Sequence, residues 1–438
     1  MWSSAISFEA GHLTIGGLSA RALATEFGTP TFFIDEDHFR NRARAWSQSL
    51  DLHFGPSAGE VYYAAKAFIC TDVARWIKEE GIGIDVCTGG ELAVALAGGI
   101  DPKKIEVHGN NKSVAEIERA VQVGVKTIVI DSLFELERVA TAASKYGVRQ
   151  SVMLRLTPGV EAHTHESIST AHEDVKFGFS IASGAAAVAV TEVLSHASLE
   201  LRGFHCHVGS QIFGTESFEL AATRIIALMA ECKKQHGIEL PELDLGGGYA
   251  IAYVPGDVTV EPQDVLPALS AVVKRECAAA GLALPIISIE PGRNIVGPTT
   301  FTLYEVGTVK EVVLEDGHIR RYISVDGGMS DNIRPSLYGA EYFAVLADRV
   351  SQSAHASSRI VGKHCETGDI VIRDIELPAD IAPGDLLATP ATGAYGRSMA
   401  SNYNHVPRPP VVAVKNGKAR VIVRRENEAD LLALDVKE

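Results

Sequence analysis

From Thr31 onward the chain repeats one unit: a short apolar run, a few glycine or polar residues, then a stretch with helical periodicity. The runs fall at 31–34, 61–65, 83–86, 105–107, 127–130, 151–156, 201–206, 242–245 and 286–289. Stretches such as 91–97, 114–123 and 134–146, rich in Ala, Leu and Glu, lie between them. Alternation of this kind implies a parallel sheet with crossover helices. About eight such units in ~250 residues is the size of a (β/α)8 barrel. Nine runs are one too many, so one of them leads into another domain or is misread. An open doubly wound sheet is the alternative, but the first βα turn carries no GxGxxG fingerprint.

After residue 295 the rhythm changes. Runs at 300–313, 322–325, 358–361, 386–388, 411–414 and 421–423 read as strands, joined by turns such as Glu315-Asp316-Gly317 and Pro383-Gly384-Asp385. Long helical periods become scarce, so this part is expected to be a small β-barrel or sandwich. The expected division is therefore α/β plus β: a barrel over 31–295 and a β-rich part from 296 to 438.

The chemistry follows from what stands at the carboxyl ends of the runs, where barrel enzymes place their working side chains. The run Val61-Tyr62-Tyr63-Ala64-Ala65 ends at Lys66. A lysine desolvated there has a lowered pKa and can attack a carbonyl to form a Schiff base; a snorkelling lysine is the bland alternative. The other ends offer Asp85, His108-Gly109-Asn110-Asn111, Arg155, His205-Cys206-His207, Ser210, Asp244 and Glu290. Gly246, Gly247 and Gly248 form either a tight turn or, with Ser210 and Arg293, a phosphate cradle of N–H groups, a hydroxyl and a guanidinium. Glu290 either pairs with Arg293 or holds a pyridine nitrogen protonated. His207 is a core histidine or the cover of a pyridine ring. His205 and His207 share a strand face, but no strong third ligand stands beside them, so no metal is expected. A Schiff-base lysine, a phosphate site and a carboxylate for a ring nitrogen are the parts that pyridoxal 5'-phosphate requires.

Charge and cysteine usage narrow the remaining classes. Forty basic against 55 acidic residues give a net charge of −15, which disfavours nucleic acid and anionic membranes as partners. The N-terminus shows no signal-peptide pattern, and no apolar stretch is long enough for a membrane span. Six scattered cysteines without a CxxC pair point to reduced thiols in a cytoplasmic protein without structural zinc.

Taken together, the motifs resemble those of the diaminopimelate decarboxylases, bacterial type, within the alanine-racemase-like fold type III pyridoxal phosphate enzymes. They are Tyr63-Ala64-Ala65-Lys66-Ala67, His108-Gly109-Asn110-Asn111-Lys112, His205-Cys206-His207-Val208-Gly209-Ser210-Gln211, Leu245-Gly246-Gly247-Gly248 and Glu290-Pro291-Gly292-Arg293. Further on come the run from Val325 to Pro335, Cys365-Glu366-Thr367-Gly368-Asp369 and Ala391-Thr392-Gly393-Ala394-Tyr395, all in family order. The resemblance implies a cofactor-binding barrel, a β-domain that also takes in residues 1–30, and a homodimer with shared active sites. It puts Lys66 at the Schiff-base position. Cofactor positions fall on Asp85, His207, Ser210, Gly246, Gly247, Gly248, Glu290, Pro291, Gly292, Arg293 and Tyr395. Substrate positions fall on Arg293, Arg334, Tyr338, Glu366 and Tyr395. Cys365 matches the proton donor, supplied by the partner subunit, and His207 joins Lys66 and Cys365 in the catalytic set. Two departures stand out: Gly396-Arg397 where many relatives carry Cys-Tyr, and CETGD in place of the commoner CESGD.

The far end of the substrate separates this family from its neighbours. A distal ammonium alone needs acids, whereas a distal amino-acid centre needs an arginine fork for its carboxylate as well. Arg334 and Arg293 with Glu366 supply that combination, unless Arg334 merely ties the β-domain to the barrel. The implied reaction is decarboxylation of meso-2,6-diaminopimelate at its D centre to L-lysine, the last step of lysine biosynthesis. The alternatives are a basic amino acid decarboxylase or racemase of the same fold, and a non-catalytic cofactor carrier. A full second domain and the Cys365-Glu366 pair speak against the carrier.

Overall fold

The computed structural model describes residues 1–9, 11–160 and 176–436. The chain divides into two compact units, one of Arg42–Ala250 with Thr259–Asn294, the other of Met1–Asn41, Ile251–Val258 and Ile295–Glu438.

The first unit is a closed barrel. Its strands are β1 (Gly59–Ala64), β2 (Gly83–Val86), β3 (Ile105–Val107), β4 (Thr127–Ile130), β5 (Gln150–Thr157), β6 (Leu199–Cys206), β7 (Glu242–Asp244) and β8 (Ile286–Ile289). Each pairs in parallel with the next, and β8 returns to β1. Strands buried on both faces read as continuous apolar runs, which is why β2, β3, β4 and β8 have the bounds expected from the sequence. The helices between them begin at local signals. Ser113 and Glu116 form a capping box at the start of Val114–Val123, and the Ser132 hydroxyl accepts from the Glu135 N–H at the start of Leu133–Lys145. At the amino-terminal end of the barrel Lys126 meets Glu60, donates to the Tyr62 hydroxyl at 2.7 Å and lies 3.7 Å from Glu242, which Arg202 also grips at 2.7 Å. These charges serve the barrel's stability, since the working end is the opposite one.

The ninth run belongs elsewhere. Thr31–Asp35 pairs antiparallel with Thr300–Val313, Ile34 opposite Thr300, and parallel with Val411–Lys415. The boundary expected at residue 31 therefore falls between Asn41 and Arg42, and Ile251–Val258 also leaves the barrel unit. An apolar strand of five buried residues looks the same whichever sheet receives it, so local pattern could not make the assignment.

The second unit is a mixed sheet in the order Ile370–Pro378, His355–Val361, Ile319–Val325, Thr300–Val313, Thr31–Asp35, Val411–Lys415, Lys418–Val423, with Leu386–Thr389 also on the long strand and Val345–Leu346 beside it. Its N-terminal strands Ile6–Glu9 and His12–Ile15 form a hairpin. Leu13 and Ile15 of that hairpin pack with Phe33, Phe301, Leu303 and Val412 in one apolar cluster. A second cluster gathers Tyr253, Tyr304, Ile323, Tyr342, Ile360 and Leu387. Among the described residues no helix is long and apolar enough to cross a membrane.

Candidate active site

Lys66 sits in the turn just after β1. The residue is exposed, whereas the expectation was a desolvated lysine: the strand ends at Ala64, and Lys66 follows in the turn. The ammonium remains near enough for its charge to act on Asp85 and His207. Asp85 is buried on β2, and among the described residues its Oδ2 has no hydrogen-bond partner. Burial first, and then the charge of Glu290, hold its carboxyl well above the usual range.

The glycine run after β7 shows why three glycines stand together. A Cβ at Gly246 would meet the Cys206 carbonyl, one at Gly247 the Glu290 carbonyl, and one at Gly248 the Gly209 carbonyl. Gly246 and Gly248 also take φ of 68° and 116°, in the left-handed region. The Gly246 N–H donates to Asp244 Oδ1 at 2.7 Å and the Gly247 N–H to His207 Nδ1 at 3.3 Å. Two of the three amides expected to face an anion are therefore spent on side chains. Gly248 is partly exposed, and its carbonyl accepts from the Ile212 N–H at 2.9 Å. Arg293, buried, donates through Nη2 to the Ser210 hydroxyl at 2.7 Å. The structure thus gathers a hydroxyl, a guanidinium and a tight glycine turn into one donor-rich corner, the chemistry a phosphate needs. Pro291 and Gly292 link this corner to Glu290, and a Cβ at Gly292 would run into Ala64.

Of the two readings offered for Glu290, the contacts seen favour neither pairing with Arg293 nor a bare ring-nitrogen role, but two histidines. Its Oε1 lies 3.0 Å from His108 Nε2 and 3.3 Å from His205 Nε2. Burial would raise the Glu290 carboxyl, but the two histidines outweigh it and hold it well below the usual carboxylate range. For His108 burial works downward, yet Glu290 and Glu106 keep its pKa well above the ordinary histidine value. His205 goes the other way, down to about 4, chiefly through burial. His207, half-buried, is also held well below the ordinary value by burial and then by the Lys66 and Arg155 charges, so its ring is neutral near pH 7. His205 faces Glu290 while His207 faces Gly247, so the pair does not converge on one point as a shared metal would demand. Instead, His108, His205 and Glu290 have ligand-type atoms within 4.8 Å of one another, as have Glu106, Asp244 and Glu290.

The remaining candidates lie on the mixed-sheet unit. Arg334 is buried, with its guanidinium 4.7 Å from the ring of Tyr253 and 5.6 Å from that of Tyr342, whose hydroxyl it binds through Nη1. Tyr395 adds its field to the same guanidinium. Among the described residues no carboxylate pairs with Arg334. Tyr338 ends the short helix Arg334–Tyr338. Cys365 and Glu366 are exposed on the loop between His355–Val361 and Ile370–Pro378. That loop is anchored by Asp369, which accepts from the N–H groups of Met329 at 2.6 Å and His364 at 2.8 Å.

Sequence reasoning singled out His108 and His205 without finding their shared target, and it missed Glu106, Asp244's hold on the glycine turn, and the Tyr253–Tyr342 bracket. The signal for Glu106 was present: one charge at the centre of a three-residue buried strand.

Residues 36–297 match the pyridoxal-dependent decarboxylases over their pyridoxal binding domain. Barrel, lysine-bearing turn and donor corner accord with that match, and together they define a barrel-type pyridoxal-dependent decarboxylase. The Mycobacterium tuberculosis diaminopimelate decarboxylase is 53% identical over 433 residues, covering 98% of this chain and 96% of that protein. The Bacillus subtilis diaminopimelate decarboxylase is 43% identical over 426 residues, covering 97% and 95%. The crystal structure of diaminopimelate decarboxylase from M. jannaschii in complex with L-lysine superposes with a TM-score of 0.93 at 30% identity, covering all of this chain and 99% of the other. The chain belongs to the diaminopimelate decarboxylase family.

Proposed function

We propose that this protein decarboxylates meso-2,6-diaminopimelate at its D centre, releasing carbon dioxide and L-lysine, as a cytoplasmic homodimer with shared active sites. One observation carries the choice of substrate. A buried guanidinium bracketed by tyrosines, with no carboxylate partner among the described residues, supports an anionic group on the ligand. The distal carboxylate of diaminopimelate is such an anion, and a plain diamine tail is not.

Pyridoxal phosphate, when bound, supplies an electron sink for the pair left behind as carbon dioxide departs. Lys66 is assigned to its aldehyde carbon, and the corner of Ser210, Gly246, Gly247, Gly248, Pro291, Gly292 and Arg293 to its phosphate. Glu290, kept anionic by its histidines, holds the ring nitrogen's proton. The neutral imidazole of His207 is assigned to the ring face, Asp85 to the amine end beside Lys66, and Tyr395 to the cofactor's remaining contact. Arg334 and Arg293, with Tyr338, Tyr395 and Glu366, take the substrate, the arginines its carboxylate and Glu366 its distal ammonium. Cys365 returns a proton to the carbon that lost carbon dioxide. Its exposure on a loop supports a donor offered to a second subunit, and six free cysteines support a reducing compartment.

The deciding experiment measures carbon dioxide and L-lysine from meso-diaminopimelate with added cofactor, beside ornithine, lysine and arginine. Turnover of diaminopimelate alone is expected; turnover of a diamino monoacid in its place would overturn the assignment of Arg334.

A further inference from the structure

Glu290 works in an acidic interior. Asp85, Glu106 and Asp244 are buried on β2, β3 and β7, and parallel register sets Glu106 beside Asp85 and Asp244 beside both His205 and Ser288. Among the described residues, both oxygens of Glu106, Oδ2 of Asp244 and the Ser288 hydroxyl lack a hydrogen-bond partner. Carboxylates crowded in so little water cannot all ionise, and protons settle on whichever holds them best. Asp85, Glu106 and Asp244 are each pushed upward, by burial first and with the Glu290 charge among the other causes. Charges facing this group from other elements include Lys66 after β1 and Glu91 in the helix after β2, both acting on Asp85, Lys126 before β4, acting on Glu106, and Arg155 on β5, acting on His205.

What singles out Glu290 is geometric. Two imidazoles, their planes 73° apart and their centroids 4.8 Å apart, bring Nε2 to 3.0 and 3.3 Å from one of its oxygens. That is within ion-pair reach, though none of the three atoms makes a hydrogen bond of ordinary geometry among the described residues. His108 is held there from both sides. Its backbone N–H donates to the Val86 carbonyl at 2.8 Å, and the carbonyl of the next residue, Gly109, takes Lys112 Nζ at 2.7 Å. His108 Nε2 also stands 3.9 Å from Glu106, so it lies between the carboxylate that must stay ionised and one that competes for the proton.

We propose that His108 is a positioning residue that keeps Glu290 ionised and aimed for the cofactor's ring nitrogen, with His205 as a second, neutral support. The inference rests on the assignment of Glu290 to that nitrogen under the proposed function.

The test compares two ligands on the full chain freed of cofactor: pyridoxal phosphate and its 1-deaza analogue, in which a C–H replaces the ring nitrogen. The analogue keeps the aldehyde and the phosphate and loses only the group that Glu290 serves. Wild type is expected to prefer pyridoxal phosphate by roughly tenfold or more, the scale of one charge-assisted hydrogen bond. In His108→Gln the preference should shrink to about threefold or less, with binding of the analogue nearly unchanged. Adding Glu106→Gln to that variant removes a competing acid and should restore part of the preference. Glu106→Gln alone, which does not depend on His108→Gln folding, should keep or widen it.

A full preference in His108→Gln overturns the proposal, as does equal weakening of both ligands, which a merely structural histidine would give. No preference in wild type overturns it too, as does a narrowed preference in Glu106→Gln alone. Stoichiometric metal in wild type that His108→Gln lacks would replace it with a metal site. None of these measurements uses substrate, so a chain inactive on diaminopimelate would lose the substrate assignment and leave this result standing.

Discussion

Nζ of Lys112 stands 2.6 Å from Oε1 of Glu135, with both side chains buried, and the same ammonium donates at 2.7 Å to the carbonyls of Gly109 and Val129. Glu135 Oε1 also accepts from the Asp131 N–H at 3.1 Å. One buried pair thus ties the loop after β3 to the end of β4 and to the helix Leu133–Lys145. Burial pulls Lys112 below the ordinary lysine range and pushes Glu135 above the ordinary carboxylate range, so neither tolerates losing the other. Lys112→Met should cost about 3–5 kcal/mol, because it leaves Glu135 buried and unpaired. Lys112→Met with Glu135→Leu should cost less than Lys112→Met alone. Urea unfolding of the three proteins checks the order; a double variant weaker than the single one would reject the pair as the reason.

Two buried groups set opposing pH trends across the same window. His205 has a pKa of about 4 in the folded chain against 6.5 for an ordinary histidine. Between those values the unfolded chain binds a proton that the folded chain does not, so this contribution to stability grows as pH rises and is lost as pH falls from 6.5 to 4. Asp331, whose carboxylate accepts from the Gly328 N–H at 2.7 Å, is pushed up to about 7 by burial. There the folded chain holds the extra proton, and the contribution present below pH 3.8 is lost as pH rises through 7. Each slope is about 1.4 kcal/mol per pH unit. Unfolding free energies measured from pH 4 to 6.5 should show His205→Gln losing the rising component and Asp331→Asn losing the falling one. Parallel curves for wild type and both variants would refute the assignment.

Much of the barrel was legible because its strands are apolar runs with sharp ends. β2, β3, β4 and β8 needed no correction, and β5 and β6 only lengthened at their ends. Pairing partners were not legible. Thr31–Asp35 finds its neighbour across most of the chain, at Thr300–Val313, and nothing in five buried residues records that distance. Ile370–Pro378 went unread as a strand because Arg373, Asp374 and Glu376 break its apolar pattern and Pro378 ends it. Motifs singled out Lys66, Ser210, Glu290 and Arg293 as candidates. They could not show that Asp244 and His207 absorb two glycine amides, or that His108 and His205 meet at Glu290, since both depend on register between strands distant in sequence.

Cys365 offers a separation of binding from turnover. It is exposed, its N–H reaches Asn404 Oδ1 at 3.4 Å, and the neighbouring His364 is fixed to the Ser330 hydroxyl at 2.8 Å. The loop is held by these contacts and by Asp369, not by the thiol. Cys365→Ala should therefore keep the melting temperature and the yellow colour of bound cofactor while losing most L-lysine release. Lysine formed at the wild-type rate would remove Cys365 from the reaction.

Arg334 should govern substrate capture rather than cofactor retention. Its guanidinium is bracketed by Tyr253 and Tyr342 and takes the Tyr342 hydroxyl, so the planar fork is already oriented before any carboxylate arrives. Losing one partner of a desolvated charge pair costs about 2–5 kcal/mol, which corresponds to KM for diaminopimelate rising roughly thirtyfold to a thousandfold or more in Arg334→Ala. Arg334→Lys should recover only part, because an ammonium keeps the charge without the two-pronged geometry. The cofactor dissociation constant should move little in either variant, since the corner of Ser210, Gly248 and Arg293 proposed for the phosphate contains no part of Arg334. Steady-state kinetics beside cofactor titration separates the cases. Cofactor loss with an unchanged KM would assign Arg334 to the cofactor and leave the distal carboxylate without a reader.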